Sequence, residues 1–176
     1  MLANRPGATK PEQRLRAALF ARGLRFRKDR RPEPAVRCRA DVLFPTERIC
    51  IFVDGCFWHG CRQHFSLPAS NSSWWSEKVQ ATVDRDVRQR NALKSQGWRV
   101  ISIWEHELRG AGVEESAYAI CARVRESTRR SRGVTSPRAT LGAGPLTIYG
   151  QSSPSRPLAE WHRDVSPPWP GTEGIK

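Results

Sequence analysis

The sequence contains no run approaching the roughly 20 apolar residues that a membrane-spanning helix needs, which argues against a helical membrane protein. Its N-terminus also lacks the apolar core of a secretory signal, so the chain is expected to be cytoplasmic. No internal repeat is present, which argues against a solenoid. Negative charge is scarce: 17 Asp and Glu stand against 30 Lys and Arg, a formal net charge of +13. That imbalance favours a polyanionic partner, because each phosphate neutralised by a cation releases condensed counterions. Charge alone does not separate an enzyme from a passive binder. Five cysteines (Cys38, Cys50, Cys56, Cys61 and Cys121) in a reducing compartment point to thiols or metal ligands rather than disulfides.

What is there fits one ordinary domain within 176 residues, with 38% hydrophobic residues to build a core. Thr9-Lys10-Pro11-Glu12 reads as a capping box, and Leu15, Ala18, Leu19 and Phe20 give the helix behind it an apolar face that ends at Gly23. A basic, proline-containing connector spans Arg25 to Arg37. Ala40–Phe44 and Ile49–Val53 read as two strands of a hairpin, the second apolar throughout and so covered on both faces. Asp54 to Ser73, rich in Gly, Cys and His, reads as a loop. A long helix follows to Gly97, with Trp75, Val79, Val83, Val87 and Leu93 as its apolar stripe. Trp98–Trp104 alternates as a third strand, and Val113–Ser127 forms a last helix with Ala117, Ile120, Cys121 and Val124 inward. The expected fold is a small α/β domain over 9–128, a mixed central sheet flanked by helices. A short flexible segment, 1–8, precedes it. The Ser-, Arg-, Pro- and Gly-rich tail, 129–176, is expected to be disordered, since it cannot bury enough apolar surface to offset its ordering entropy.

Cys56-x4-Cys61-x2-His64 places three zinc-type ligands within nine residues. Cys121 is the best remaining fourth ligand and would staple the last helix to the loop; the alternative is an ordinary buried core thiol. Cys38 and Cys50 read as non-ligands. Asp41 opens an apolar strand and is a good hard ligand for Mg²⁺ if it faces a cleft, though the same spacing suits a solvated edge aspartate. His59 sits just past the neighbouring strand, where an imidazole can deprotonate a water attacking phosphate. It competes with His64 for the zinc position, and His64 is the favoured ligand. Asp86 lies on the apolar stripe of the long helix, placed either to orient a catalytic His or Arg or to pair with Arg90 one turn on. Phe57-Trp58, between Gly55 and Gly60, can belong to the core or wedge between base pairs.

Together, Arg39-Ala40-Asp41 and Phe52-Val53-Asp54-Gly55-Cys56-Phe57-Trp58-His59-Gly60-Cys61 resemble the very short patch repair (Vsr) DNA mismatch endonucleases. The resemblance continues through Trp75, Glu77-Lys78, Asp84-Arg85-Asp86, Gly97-Trp98-Arg99-Val100 and Trp104-Glu105, covering roughly Thr9 to Val124. It implies a restriction-endonuclease-like fold and a single cut 5′ to the T of a T:G mispair. It further implies Mg²⁺ on Asp41 and on the Val53 backbone carbonyl, His59 as general base, and Glu12 as a further active-site acid. Phe57 and Trp58 are then the intercalating aromatics, and Cys56, Cys61, His64 and Cys121 the structural zinc set. Lys78, Arg85 and Arg88 are expected on the backbone of a mispaired double-stranded DNA, bound by a monomer that joins the nucleoid when on DNA. Two features depart from the pattern. The segment before Thr9 is short where relatives use an arm to clasp DNA, and some relatives order the middle two zinc ligands as His then Cys, where this sequence has Cys61 then His64. As in that family, no Glu-x-Lys follows Asp41 on the next strand, so the usual restriction-nuclease signature is incomplete. The rival expectations are a zinc-stabilised DNA-binding module without catalysis and a nuclease that cuts matched sequence.

Overall fold

The computed structural model describes residues 9–131 and 133. The segment expected to be flexible, 1–8, and the tail beyond 133 lie outside the described residues. The elements run α1 (Lys10–Ala21), β1 (Arg27–Arg30), β2 (Ala40–Phe44), β3 (Ile49–Asp54), α2 (Ser72–Ser95), β4 (Arg99–Trp104), a single 3-10 turn (Glu105–Leu108) and α3 (Gly112–Ser131). One four-stranded sheet has the order β1-β2-β3-β4, antiparallel except for the parallel β3–β4 pair. This is the mixed α/β sheet the sequence leads one to expect. The parallel pair requires a crossover, and α2 supplies it.

β3 shows why a continuous apolar strand sits centrally. Ile49 and Ile51 join Leu15, Leu19, Phe44, Ile103, Ile120 and Val124 in the core under α1 and α3. Cys50 and Phe52 face the other way, into a second core with Leu43, Leu93, Trp98 and Val100. The β2–β3 hairpin turns at Pro45–Arg48, closed by the Arg48 N–H donating to the Pro45 carbonyl, with Arg48 left-handed at φ 51°.

Several expectations need correction. The connector from Arg25 to Arg37 contains a strand, β1, whose Arg27, Lys28 and Arg30 are exposed at the sheet edge. Asp54 ends β3 rather than opening the loop. The stripe of α2 is buried at Val79 and Leu93 and half-buried at Trp75, Val83 and Val87. α3 runs on to Ser131, so Arg129 and Arg130 are helical rather than tail. The capping box is not formed. The Thr9 hydroxyl instead donates to the Glu12 carboxylate at 2.5 Å, leaving Glu12 turned into the protein.

Candidate active site and metal cluster

Glu12 and Asp41 come together because α1 packs on the sheet beside the start of β2. The bridge between them is Arg16, one helical turn after Glu12 and itself buried. Its Nη2 donates to Glu12 Oε2 at 3.1 Å, and its Nε and Nη2 donate to the Asp41 carbonyl at 3.1 and 3.0 Å. The Asp41 carboxylate reaches across the hairpin and accepts the Val53 N–H at 2.7 Å. Burial pushes the Asp41 carboxyl up to about 6; the Val53 N–H opposes this, Glu12 and Asp54 reinforce it, and Arg16 partly relieves it. An acid disfavoured in its charged form by neighbouring acids fits a position completed by a divalent cation.

His59 lies on the far side of this acidic group. Its Nδ1 is 2.7 Å from Asp86 Oδ2 and 3.8 Å from Asp54 Oδ1. Burial acts to raise the Asp86 carboxyl. The hydrogen bond and charge of His59, with Arg85, outweigh it and hold the group below the ordinary carboxylate range. Arg85 reaches Asp86 Oδ1 through Nε at 3.1 Å and Nη2 at 2.9 Å. The Asp86–Arg90 pair weighed from sequence is not formed: Arg90 Nη2 donates to Asp54 Oδ1 at 2.6 Å instead. Asp54, buried at 4% exposure, thus joins Glu12, Asp41 and Asp86 as a fourth acid of the centre. The charge that ends an apolar run was its signal in the sequence, as Glu12 four residues before Arg16 was the signal for that arginine.

A second cluster stands beside the first. One donor atom each from Cys56, Cys61, His64 and His106 lie within 4.8 Å of one another. His106 Nδ1 is 3.2 Å from Cys56 Sγ, and His64 Nδ1 is 3.7 Å from Cys61 Sγ. The fourth corner is therefore His106 and not Cys121, which is buried in the main core with Ala117, Ile120 and Val124. Parallel pairing explains the exchange. Asp54 is in register with Trp104, so the residues two beyond each, Cys56 and His106, emerge at the same sheet end. Two features hold the 3-10 turn that carries His106. The Trp104 N–H donates to Glu107 Oε2 at 2.8 Å, and Gly112 approaches the Glu107 carbonyl so closely that any Cβ there would meet it at 2.1 Å. Burial, with Cys61 beside it, pushes the Cys56 thiol up to about 12, against the hydrogen bond from the His106 backbone N–H. Burial and neighbouring His64 lower the His106 imidazole. Two thiols and two imidazoles this close make a soft donor set that suits tetrahedral zinc, which would take the thiols as thiolates.

The loop strung between these ligands presents the aromatics. Phe57 packs against Trp58, Phe65 and Trp75 at centroid distances of 5.2, 5.6 and 5.2 Å, while Trp58 stays 47% exposed. The two expected wedge residues therefore differ: Trp58 faces solvent and Phe57 braces it. Lys78, Arg85 and Arg88 are exposed on α2. No helix among the described residues is long and apolar enough to cross a membrane.

The family model described as DNA mismatch endonuclease Vsr matches residues 1–64, which include Glu12, Asp41, His59 and three of the four clustered ligands. The chain is 44% identical over 109 residues to the type II nicking enzyme V.NaeI of Lentzea aerocolonigenes, a match covering 61% of this chain and 66% of that relative. It is 42% identical over 110 residues to the type II nicking enzyme V.XorIIP of Xanthomonas oryzae, covering 61% of this chain and 78% of the relative. It is 39% identical over 100 residues to the DNA mismatch endonuclease Vsr of Escherichia coli, covering 56% and 62%. The match thus spans just under two thirds of the first and third of these relatives. The class that these proteins define is the DNA endonucleases. Within it, the chain belongs to the Vsr family.

Proposed function

We propose that this protein is a Mg²⁺-dependent endonuclease that nicks one strand of duplex DNA, 5′ to the T of a T:G mispair, with a structural zinc on Cys56, Cys61, His64 and His106. The observation that carries the reading is His59 hydrogen-bonded at Nδ1 to Asp86 and 3.8 Å from Asp54, the acid whose charge also bears on Asp41. With Nδ1 turned to Asp86, Nε2 is left to accept a proton from the attacking water. Asp86 fixes that tautomer and stabilises the imidazolium once the proton has arrived. Asp41 and the Val53 carbonyl would hold the magnesium ion, with Glu12 as the adjoining acid. When bound, magnesium polarises the scissile phosphate and lowers the pKa of a coordinated water.

Single-strand cutting is supported by relatives named as nicking enzymes, and mispair choice by those named as mismatch endonucleases. The exposed Trp58, braced by Phe57 and Trp75, suits a wedge between base steps, and a mispaired step is cheaper to unstack than a matched one. Lys78, Arg85 and Arg88 supply backbone contacts. The test uses duplexes end-labelled on either strand, one with a single T:G mispair and one fully matched. Magnesium-dependent cleavage of the T strand of the mispaired duplex is expected. Equal cutting of matched DNA on both strands would make the protein a restriction-type nuclease, and binding without cutting would make it a passive DNA-binding module.

A further inference from the structure

The strand beside Asp41 carries no lysine, so β3 brings no cation of its own to the scissile phosphate. A cation nevertheless reaches the centre from α2. Arg90 is largely buried, with its side chain 21% exposed and its guanidinium 5.4 Å from the ring of Phe52. Its Nη2 meets Asp54 Oδ1 at 2.6 Å, and the same oxygen is 3.8 Å from His59 Nδ1. Arginine and histidine thus flank one carboxylate oxygen at the end of β3, next to Asp41.

An arginine has five N–H donors. Among the described residues, Arg90 spends one on Asp54 and has no second hydrogen-bond partner. Among the described residues no fully buried side-chain nitrogen lacks a partner, so Nε and Nη1 of Arg90 keep access to solvent. An arginine serving only to neutralise a buried aspartate would be expected to turn two donors on it, since the guanidinium fork matches a carboxylate. Held by one donor and backed by an aromatic ring, Arg90 keeps most of its fork for an anion.

We propose that Arg90 is a catalytic residue: its guanidinium contacts a non-bridging oxygen of the scissile phosphate and stabilises the charge that grows there as water attacks. Asp54 is the positioning residue that aims it. This inference rests on the nuclease reading above. The arrangement supplies from a helix the cation that a lysine on the neighbouring strand would otherwise bring, and the low-dielectric surroundings strengthen its effect.

The experiment is single-turnover nicking of the T:G duplex by full-length protein, with duplex affinity measured separately in EDTA over a salt series. Arg90→Met should slow the chemical step by about 10²- to 10³-fold while duplex affinity changes little. Arg90→Lys, keeping the charge without the fork, should recover part of the rate. The double variant Asp54→Asn/Arg90→Met removes the buried acid as well and should remain slow. A double variant as fast as wild type would show that Arg90 only neutralises Asp54, overturning the proposal. So would an Arg90→Met variant with an unchanged rate, or one that loses affinity and about one charge of salt dependence but cuts normally once saturated. If wild-type protein binds duplex without cutting any, the nuclease reading itself fails and this inference with it, an outcome distinct from a slow Arg90 variant beside an active parent.

Discussion

The acidic centre and the Cys/His cluster are neighbours built on opposite plans. The cluster is local: three of its four ligands come from nine consecutive residues and the fourth from one turn after β4. The acidic centre draws on α1, β2, β3, α2 and the loop after β3, so it exists only once the sheet has closed. The two meet in Phe57-Trp58-His59-Gly60, pinned at both ends by Cys56 and Cys61. On the proposed reading, the Cys/His cluster would hold this loop, and the loop would carry the proposed base, His59, and the proposed wedge, Trp58, to the acidic centre.

The comparison can be broken most severely at the acids. Asp41→Ala or His59→Ala should reduce nicking by about 10³-fold or more, with T:G duplex binding retained; parallel loss of binding would mean these residues hold the fold rather than perform chemistry. Cys56→Ser should act differently, releasing zinc, lowering Tm by on the order of 10 °C and abolishing nicking through the lost loop. Metal analysis and calorimetry on the same preparation check this, and magnesium should not restore it. Asp86→Asn should cost about 10²- to 10⁴-fold in rate with Tm nearly unchanged, because the tautomer of His59 is lost and little packing is.

Smaller effects sharpen the contrast. The Asp41 carboxyl, pushed up to about 6 from 3.8, holds its proton more tightly in the folded than in the unfolded chain. Its contribution to stability is therefore complete below the unfolded value and is lost as pH rises through about 6. In metal-free protein, Asp41→Asn should stabilise by about 2 kcal/mol at pH 8 and do nothing at pH 3, read from denaturant melts. Nicking should fall as pH drops through the same range, where the protonated acid no longer binds a cation. Smallest of all, Cys121→Ala should retain full zinc content and cost about 1 kcal/mol of packing, whereas His106→Ala should lose zinc.

These contrasts also mark what the sequence makes legible. β2 and β3 are readable because burial on known faces leaves a periodic or continuous apolar pattern, and Cys56, Cys61 and His64 because a short loop needs all three close together. β1 is hidden because an edge strand of Arg27-Lys28-Asp29-Arg30 is held by backbone pairing alone and carries no apolar signal. His106 is hidden because 41 intervening residues separate it from His64, and parallel register rather than spacing unites them. Cys121 drew attention as a thiol on an inward face, which is equally where a core cysteine belongs. Arg90 acts through a tertiary pairing with Asp54, 36 residues earlier in the chain, which no local pattern distinguishes from a solvated surface.

The most direct test of the division between the two sites is a nicking assay on the T:G duplex in which zinc and magnesium are supplied independently. Zinc-loaded protein should bind the duplex uncut until magnesium is added and should then cut the T strand alone. Cutting that needs zinc but no magnesium would place the chemistry in the Cys/His cluster and contradict the account.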